Sequence, residues 1–423
     1  MSIRQPLNPQ YSVLSPLLDT CVRCGLCLPQ CPTYLLTQNE RSSPRGRIAL
    51  MNAVTTGDLD VADSGYLDEL DFCLGCRNCE TACPAGVEYG AALEIARAGA
   101  APYLNESPRR RVARRVGLRL VEGDLRALRA VARGLRLFQR TGARSVARFT
   151  GLLDLLGVER LDRLSPDVAS EMLLPDGQVW RPDGPPRLRV GLFTGCVMSV
   201  AFAEVHLATI RTLVANGCEV VAVAGQGCCG ALHAHTGDVK TARRLARRNV
   251  AAFERQSLDA IVVNAAGCGA ALKEYGGWLH GHPRATTFVT TVCDYSELLL
   301  ELDPRPPKPV PLTVTYQDAC HLAHAQGVRR QPRELLARVP ALELREMAES
   351  DLCCGSAGTY NLTRPETAEA LLERKLDHAL ATGAGTIVTT NPGCMLQLRS
   401  GLSERGSAVQ VRHLAEIVAA AYD

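Results

Sequence analysis

The residues best able to do chemistry in this chain are cysteines, and it holds 18 of them. Cys21, Cys24, Cys27 and Cys31 lie in the run C-V-R-C-G-L-C-L-P-Q-C-P. Cys73, Cys76, Cys79 and Cys83 lie in C-L-G-C-R-N-C-E-T-A-C-P. Both runs read C-x2-C-x2-C-x3-C-P, a spacing that holds [4Fe–4S] clusters. Three close thiolates wrap three corners of one cube, and the fourth, followed by Pro, turns to the other cube. The expected sets are therefore Cys21, Cys24, Cys27 and Cys83 on one cluster, and Cys73, Cys76, Cys79 and Cys31 on the other. Paired zinc sites would use C-x2-4-C pairs and leave the third Cys and the repeated Cys-Pro unexplained.

A second group of thiols is also written twice. Cys196, Cys228, Cys229 and Cys268 recur as Cys320, Cys353, Cys354 and Cys394, at offsets of 124, 125 and 126 residues. A matching C…CC-G…C pattern in two copies points to a cofactor or redox role, since gathered soft thiolates select iron–sulfur, zinc or copper. An unusual cluster and a redox-active thiol set both fit. Cys218 and Cys293 have no counterpart and read as ordinary buried thiols.

The elements that must position these residues follow from periodicity. Ser43-Pro44 marks a helix start, with Ile48, Leu50, Met51 and Val54 as its apolar face. Asp63 to Phe72 and Tyr89 to Ala98 read as further helices, and Val13 to Asp19 as a short one. The two cysteine runs are 41 residues apart, so they belong to a helical ferredoxin domain, residues 1–102. Residues 103–186 form an arginine-rich helical connector that includes Arg109, Arg110, Arg111, Arg114 and Arg115. Val112, Val116 and Leu120 are its expected buried stripe, continued by Leu125, Leu128 and Leu135. Its basic face is either solvated or a docking surface for an acidic partner or anionic lipid. Then come two α/β copies, residues 187–305 and 306–423, divided by the Pro-rich stretch 304–311. The first has strands at Leu188 to Phe193, Glu219 to Ala224 and Ala260 to Asn264, with helices Glu204 to Ala215 and Asp238 to Arg255. The second has strands Leu312 to Tyr316 and Thr386 to Thr390 and the helix Glu366 to Ala381. Alternation of this kind implies parallel, Rossmann-like βαβ units, whose ligands gather beyond the carboxyl ends of the strands. The expected fold class is α+β multidomain: an α-helical ferredoxin domain followed by tandem α/β cysteine-rich domains.

Composition narrows function. Apolar content of 46% supports real cores, and a net charge of +3 gives no ground for a nucleic-acid partner. The first twenty residues lack a signal-peptide pattern and no apolar run is long enough to span a membrane. A reducing, cytoplasmic setting is expected, with peripheral attachment to the inner membrane's cytoplasmic face through the basic connector as an option. Gly225-Gln226-Gly227-Cys228-Cys229-Gly230 is formally G-x-G-x-x-G, but the second copy reads Ser350-Asp351-Leu352-Cys353-Cys354-Gly355, so no dinucleotide site is expected. His321 and His324 follow Cys320, and His233 and His235 follow the first Cys pair; each can face a cofactor or cap a helix. Asn264 and Asn391 end equivalent strands and are expected to stabilise loops.

Motifs spread over nearly the whole chain resemble the iron–sulfur subunits of bacterial glycolate oxidases (glycolate dehydrogenases). They are Cys31-Pro32-Thr33-Tyr34, Pro44-Arg45-Gly46-Arg47-Ile48, Cys76-Arg77-Asn78-Cys79-Glu80, Gly227-Cys228-Cys229-Gly230, Gly267-Cys268-Gly269 with Lys273-Glu274-Tyr275-Gly276, His324-Ala325-Gln326, Leu352-Cys353-Cys354-Gly355-Ser356-Ala357-Gly358-Thr359-Tyr360 and Val411-Arg412-His413. The two later copies also resemble the cysteine-rich (CCG) domains of heterodisulfide reductase and of lactate-oxidising complexes. There a closing C-x2-C supplies a fifth Cys for a noncubane [4Fe–4S] cluster. Here Ala271 and Gln397 stand at those positions, which leaves four Cys per copy and the cluster content of these domains open.

The resemblance implies an electron conduit within a hetero-oligomer. Flavin (FAD)-binding partner subunits would oxidise glycolate to glyoxylate, and two [4Fe–4S] clusters here would pass electrons to a quinone or another membrane acceptor. No flavin or nicotinamide fingerprint appears in the chain, so no catalytic residue for substrate oxidation is expected in it. Alternatives are the iron–sulfur subunit of an anaerobic glycerol-3-phosphate or lactate dehydrogenase, and, in another class, a redox-sensing iron–sulfur protein.

Overall fold

A computed structural model describes residues 11, 13–104, 108–123, 125–168 and 171–422, with no account of the side chains at 108–110 and 113. The lead-in over residues 1–10 and the side chains of Arg109 and Arg110 thus lie outside the described part.

The first hundred residues fold as helices, and no described strand precedes Val179. The helix Pro44–Thr56 starts where expected: the Ser43 side chain accepts from the Gly46 N–H, with Pro44 in the first turn. Asp63 caps Ser64–Phe72 by accepting from Tyr66 N–H at 2.9 Å. These helices, with Ser15–Asp19 and Tyr89–Ala100, bury Leu14, Leu18, Met51, Tyr66, Leu70, Ala92, Leu93 and Ala96 in one core. Tyr11 closes it. Its ring lies so near Gly99 that a Cβ there would sit 2.4 Å from it, so only glycine fits.

The connector corrects one expectation. In the helix Pro108–Glu122, Val112 and Val116 are 60% and 52% exposed. Leu120 is half-buried and Leu125, beyond the helix, is buried as expected; Leu118 and Val121 are also buried, and Val121 and Leu125 pack on Cys196, Cys228 and Leu245. The end of this helix lies on the cysteine-rich domain, held by Arg244 to Glu122 and by Arg248 donating to Gly123 O, whereas Val112 and Val116, on earlier turns, belong to no apolar cluster among the described residues. Leu128 and Leu135, on Arg126–Arg140, do pack against the main core. Part of the arginine content is structural: Arg144 and Arg148 both pair with buried Asp162, while Arg160 and Arg163 reach Glu369 and Glu404 of the second copy.

The two copies are parallel sheets of the same order. The first runs β1 (Val179–Trp180), β3 (Cys218–Ala222), β2 (Leu188–Leu192), β4 (Ala260–Val263), β5 (Val292–Asp294). The second runs β7 (Leu342–Leu344), β6 (Leu312–Tyr316), β8 (Thr386–Thr389), β9 (Gln410–His413). Val190 aligns with Val220 and Ala260, and Val314 with Leu344 and Thr386. β1 is an added antiparallel edge on β3. The expected helices form as Ala203–Ala215, Val239–Glu254 and Pro365–Ala381. Helix Ala203–Ala215 packs on the C-terminal helix Leu414–Ala419, and Ile210, Leu213, Tyr295, Tyr316, Leu376 and Leu414 share one core. The copies are thus fused through a common apolar interior.

Candidate functional site

The twin cysteine runs fold as twin loops. Arg23 and Gly25 in one, and Gly75 and Arg77 in the other, all have positive φ, from 60° to 86°. These left-handed turns fall at matching places around Cys24 and Cys76, and they curl each backbone so that successive thiols face one space. The first loop opens on a cavity lined by Cys21, Cys24, Cys27, Cys79 and Cys83. The second cavity is lined by Cys31, Cys73, Cys76 and Cys79. Cys83 has thus crossed to the first loop and Cys31 to the second, and Cys79 and Tyr89 form the wall between them. Among the described residues no three His, Cys, Asp or Glu converge on one point closely enough for a lone metal ion; the thiols ring two volumes instead.

Their electrostatics suit a bound iron–sulfur group. Burial pushes the Cys76 and Cys79 thiols well up, and neighbouring thiolates add to it. Burial also opposes ionisation of Cys73, but the guanidinia of Arg47 and Arg97, the Gly75 N–H and the Tyr89 hydroxyl outweigh it and bring its pKa down. Buried thiolates without cations are costly, and iron supplies the missing positive charge. The donor set and the space fit [4Fe–4S] groups. Cys24 is exposed, whereas Cys31, Cys73, Cys76 and Cys79 are buried, so the first cavity lies nearer solvent.

Each later cysteine set lies beyond the carboxyl ends of its strands. Thiol contacts run Cys196–Cys228–Cys229–Cys268 in one copy and Cys320–Cys353–Cys354–Cys394 in the other. Gly230 and Gly355, at φ +87° and +85°, turn the chain after each Cys pair. The G-x-G-x-x-G stretch is committed to the protein itself. Gln226 receives Thr194 N–H and donates to Leu192 O and Val223 O. Asn249 accepts from Gly227 N–H and donates to Cys228 O, while Tyr275 donates to Cys229 O. The two sets differ in charge balance. Cys354 is held well below the usual thiol range by hydrogen bonds from Cys353 and Cys394, aided by Ser356 N–H and the buried Lys375 ammonium. Cys196, Cys228 and Cys229 are all pushed up. Cys218 begins β3, at the opposite end from Cys228, and Cys293 sits within β5; both are outside the sets.

Residues 17–87 match the 4Fe-4S dicluster domain family, and residues 190–273 and 314–399 each match the cysteine-rich domain family. The probable glycolate oxidase iron-sulfur subunit of Bacillus subtilis is 39% identical over 95% of this chain and 93% of its own length. The glycolate oxidase iron-sulfur subunit of Escherichia coli is 32% identical over 95% of this chain and 93% of its own. One subunit of the fumarate reductase (CoM/CoB) of Methanothermobacter marburgensis is 30% identical over 99% of this chain and 75% of its own. The chain belongs to the family of glycolate oxidase iron–sulfur subunits. As a member of that family it is an iron–sulfur, electron-transferring protein with a dicluster domain and tandem cysteine-rich domains.

In this iron–sulfur subunit the cysteine groups are packed in series. Leu74 and Cys76 of the second loop share an apolar cluster with Cys353, Tyr360 and Cys320. Ala266, just before Cys268, packs with Cys354 and Cys394, and the Gly267 N–H donates to Asn391 Oδ1 at 3.2 Å. Asn391 also donates to Cys394 Sγ at 3.6 Å, so this strand-end Asn ties the two sets together. Asn264 instead donates to His206 and Thr209 inside the first copy. His321 and His324 join units of the fold, whereas it is His413 that caps a helix, accepting from Ala415 N–H at 3.1 Å. His321 Nε2 meets Gly75 O at 3.0 Å; His324 bonds Thr81 Oγ1 at 2.9 Å and Asp351 O at 3.0 Å. Both bind the ferredoxin domain to the second copy. His235 of the first copy pairs with Glu94 of the ferredoxin domain, while both ring nitrogens of buried His233 lack a partner among the described residues. Arg47 and Glu274 lie in motifs that carry the family resemblance but were given no role there, and Lys375 and Glu94 were not singled out. A lone Arg or Glu in an apolar helix face was the available signal.

Proposed function

We propose that this chain carries single electrons from a flavin-bearing partner that oxidises glycolate to glyoxylate, and delivers them to a quinone or another membrane acceptor. In this reading Cys21, Cys24, Cys27 and Cys83 hold one [4Fe–4S] cluster and Cys31, Cys73, Cys76 and Cys79 the other. Cys196, Cys228, Cys229 and Cys268, with Cys320, Cys353, Cys354 and Cys394, are the sites for further redox groups. When bound, the clusters supply one-electron steps that a flavin's two-electron chemistry needs on its way to a carrier. The observation that carries the reading is the unbroken series from exposed Cys24, through the wall shared at Cys79, to Cys76 against Cys320 and Cys353. Arg47 and Arg97 orient this path by favouring negative charge at Cys73.

The working units are residues 1–102, 103–186, 187–305 and 306–423, in a hetero-oligomer with the flavin subunit. Among the described residues no helix is long and apolar enough to cross a membrane. A peripheral position on the cytoplasmic face of the membrane is supported by a corner of the connector where Phe149, Leu155 and Leu156 are 94%, 84% and 63% exposed beside exposed Arg140 and Arg148. Substitution of Cys76 by Ser tests the conduit. Iron in the ferredoxin domain should fall from about eight atoms towards four, and quinone reduction should stop while dye-linked oxidation at the flavin partner persists. Retention of quinone reduction in that variant would sink the proposal, as would a stable zinc-loaded form without iron.

A further inference from the structure

The two cysteine-rich copies share a fold but not a charge plan. Their matching helices, Val239–Glu254 and Pro365–Ala381, each bring one polar side chain to the loop that carries the Cys pair. Asn249 and Lys375 hold the same place, each 19 residues before the closing Cys of its copy. Asn249 meets its loop as a neutral amide, on Gly227 N–H and Cys228 O at 2.9 Å each. Lys375 meets its loop as an ammonium, donating to Glu349 O and to Ser350 O, the latter at 3.1 Å.

Lys375 is 1% exposed, and a buried ammonium calls for an anion. The carboxylates nearby are already taken. Asp318 receives both terminal nitrogens of Arg333 at 2.8 Å each, Asp351 pairs with Arg329, and Glu349 pairs with Arg374. Among the described residues no carboxylate pairs with Lys375 itself, and its charge faces Cys354 and Cys353 instead. A second difference falls on the same copy. Backbone N–H groups meet sulfur in both, Gly230 on Cys228 at 3.4 Å and Ser356 on Cys354. Among the described residues a side-chain amide does so in the second copy alone: Asn391 donates to Cys394 Sγ, while Asn264, at the same strand end in the first copy, is turned to His206 and Thr209. Four soft thiols in contact, a buried cation and an amide aimed at sulfur fit a thiolate-bound iron–sulfur group.

We propose that Lys375 is the fixed counter-ion of a negatively charged iron–sulfur group held by Cys320, Cys353, Cys354 and Cys394, and that Lys375 and Asn391 raise its potential. The inference rests on the conduit reading above and deepens it by ranking the two later cysteine sets. Iron and sulfide on four thiolates keep a net negative charge, and reduction adds one more. A fixed positive charge and a donor on sulfur both stabilise the added electron, which moves the potential up. The position of this set matches that role. Cys76 of the second ferredoxin-type loop packs with Cys320 and Cys353, whereas Cys268 of the first copy meets the second set through Ala266 and Gly267. Electrons thus reach the later copy before the earlier one, the reverse of chain order. The step moves one electron and no proton: the ferredoxin-type cluster is oxidised and the group on the second set is reduced. Lys375 and Asn391 act on that group through charge and sulfur, as positioning residues.

The test uses the full cluster-loaded chain with its flavin partner, kept anaerobic. Iron analysis and Mössbauer spectra should show iron beyond the roughly eight atoms of the two ferredoxin-type clusters. The second set's signal is the one lost in Cys354→Ser and kept in Cys229→Ser. Its midpoint, followed by EPR in a redox titration, should fall in Lys375→Met, which removes charge and donors, and in Lys375→Gln, which keeps an amide donor for the loop. We expect at least a tenfold loss in the reduction equilibrium for both, about 59 mV for one electron, and a smaller fall in Asn391→Leu. The ferredoxin-type midpoints should stay nearly in place. A mere brace for the loop would be rescued by Gln, so an unchanged midpoint in Lys375→Gln overturns the proposal. If both Lys375 variants shed the iron, Asn391→Leu decides, and an unchanged midpoint there overturns it. The absence of iron beyond the two clusters, or loss of the same signal in Cys229→Ser, overturns it as well. The conduit is judged apart, by quinone reduction in Cys76→Ser: if that stops while any of these results is found, the conduit stands and only the assignment to the second set is rejected.

Discussion

Arg47 is the side chain on which the second cysteine cavity depends. It is 1% exposed and spends its donors on four groups. Nε donates to Glu69 O at 2.7 Å, and one terminal nitrogen donates to Ser42 O at 2.8 Å and Thr33 Oγ1 at 3.2 Å. The other reaches Glu69 Oε2 and Thr33 Oγ1, each at 3.2 Å. Thr33 in turn lies 3.3 Å from Cys31 Sγ. The guanidinium therefore ties the segment after Cys31 to the helix that leads into Cys73, and its charge faces both thiols. Replacing Arg47 by Met keeps length and removes the cation. Glu69 is then left buried with only the Ser42 hydroxyl, at 2.9 Å, on its carboxylate. Breaking one side of a buried pair costs roughly 3–5 kcal/mol, a large part of the 5–15 kcal/mol that holds a typical domain. Arg47→Met with Glu69→Leu removes the orphaned charge as well and should recover most of that loss. The double variant should not recover iron at the second cavity, because Arg47 lines that cavity and not the first. Urea unfolding of the anaerobically purified chain measures the first effect, and iron and sulfide content with EPR measures the second. A single variant within about 1 kcal/mol of the parent would refute the reasoning, as would a double variant no more stable than the single, or equal iron loss from both cavities.

Two further outcomes follow from the cysteine-rich copies. Gly355→Ala should destabilise more than Gly230→Ala: both have positive φ, but a Cβ at 355 would lie 2.4 Å from the backbone oxygen of Ala368, against 3.3 Å to Ala242 for Gly230. Left-handed strain alone costs about 1 kcal/mol in each, so parity or the reverse order in urea midpoints would show that the backbone clash relaxes freely. Acid should weaken the fold through His206 and His413, whose pKa values burial lowers to about 4. An unfolded imidazole takes its proton near 6.5, so between there and 4 the unfolded state binds more protons. The stabilisation is complete above that upper value and is lost as pH falls through the window, on the order of 3 kcal/mol for each ring. Urea midpoints from pH 7.5 down to 4.5 measure it, and a His206→Phe variant should show a shallower decline; an equally steep one would exonerate that ring.

The parts legible in the sequence are those fixed by local spacing. The C-x2-C-x2-C-x3-C-P runs determine which thiols can share a space, because the left-handed turns at Arg23, Gly25, Gly75 and Arg77 leave the fourth Cys pointing away. Alternating apolar runs and helices were enough for β2, β3, β4, β6 and β8, to within one or two residues at their ends. β1, β5, β7 and β9 were not assigned: they have two to four residues, and β7 reads Leu-Glu-Leu with no fully buried position. The stripe at Val112 and Val116 failed for a different reason. Periodicity says that a face is apolar, not that a neighbour exists to cover it, and the covering surface ends near Val121.

The same limit explains why the polar junction of the ferredoxin domain with both copies could not be read from the chain. Arg77, Glu94, His235, Glu274 and His321 come from five places in the sequence, and although Arg77 lies within a cysteine run and His321 follows Cys320, no spacing relates the five to one another. Their meeting depends on contacts between the units, among them His321 on Gly75, His235 on Glu94, and Arg77 on Glu274. The ferredoxin helices bury one apolar core and the two copies share another without these polar residues, so burial of apolar surface does not demand them. Packing the ferredoxin helices against both copies buries two carboxylates and two imidazoles together. That is costly unless the groups are paired or exchange protons. Arg77 and the His235–Glu94 pair offset part of the cost, while Glu274 carries the remainder as a raised pKa. Arg77 on Glu274 and His235 on Glu94 thus latch the ferredoxin domain to the first copy, while His321 on Gly75 latches it to the second.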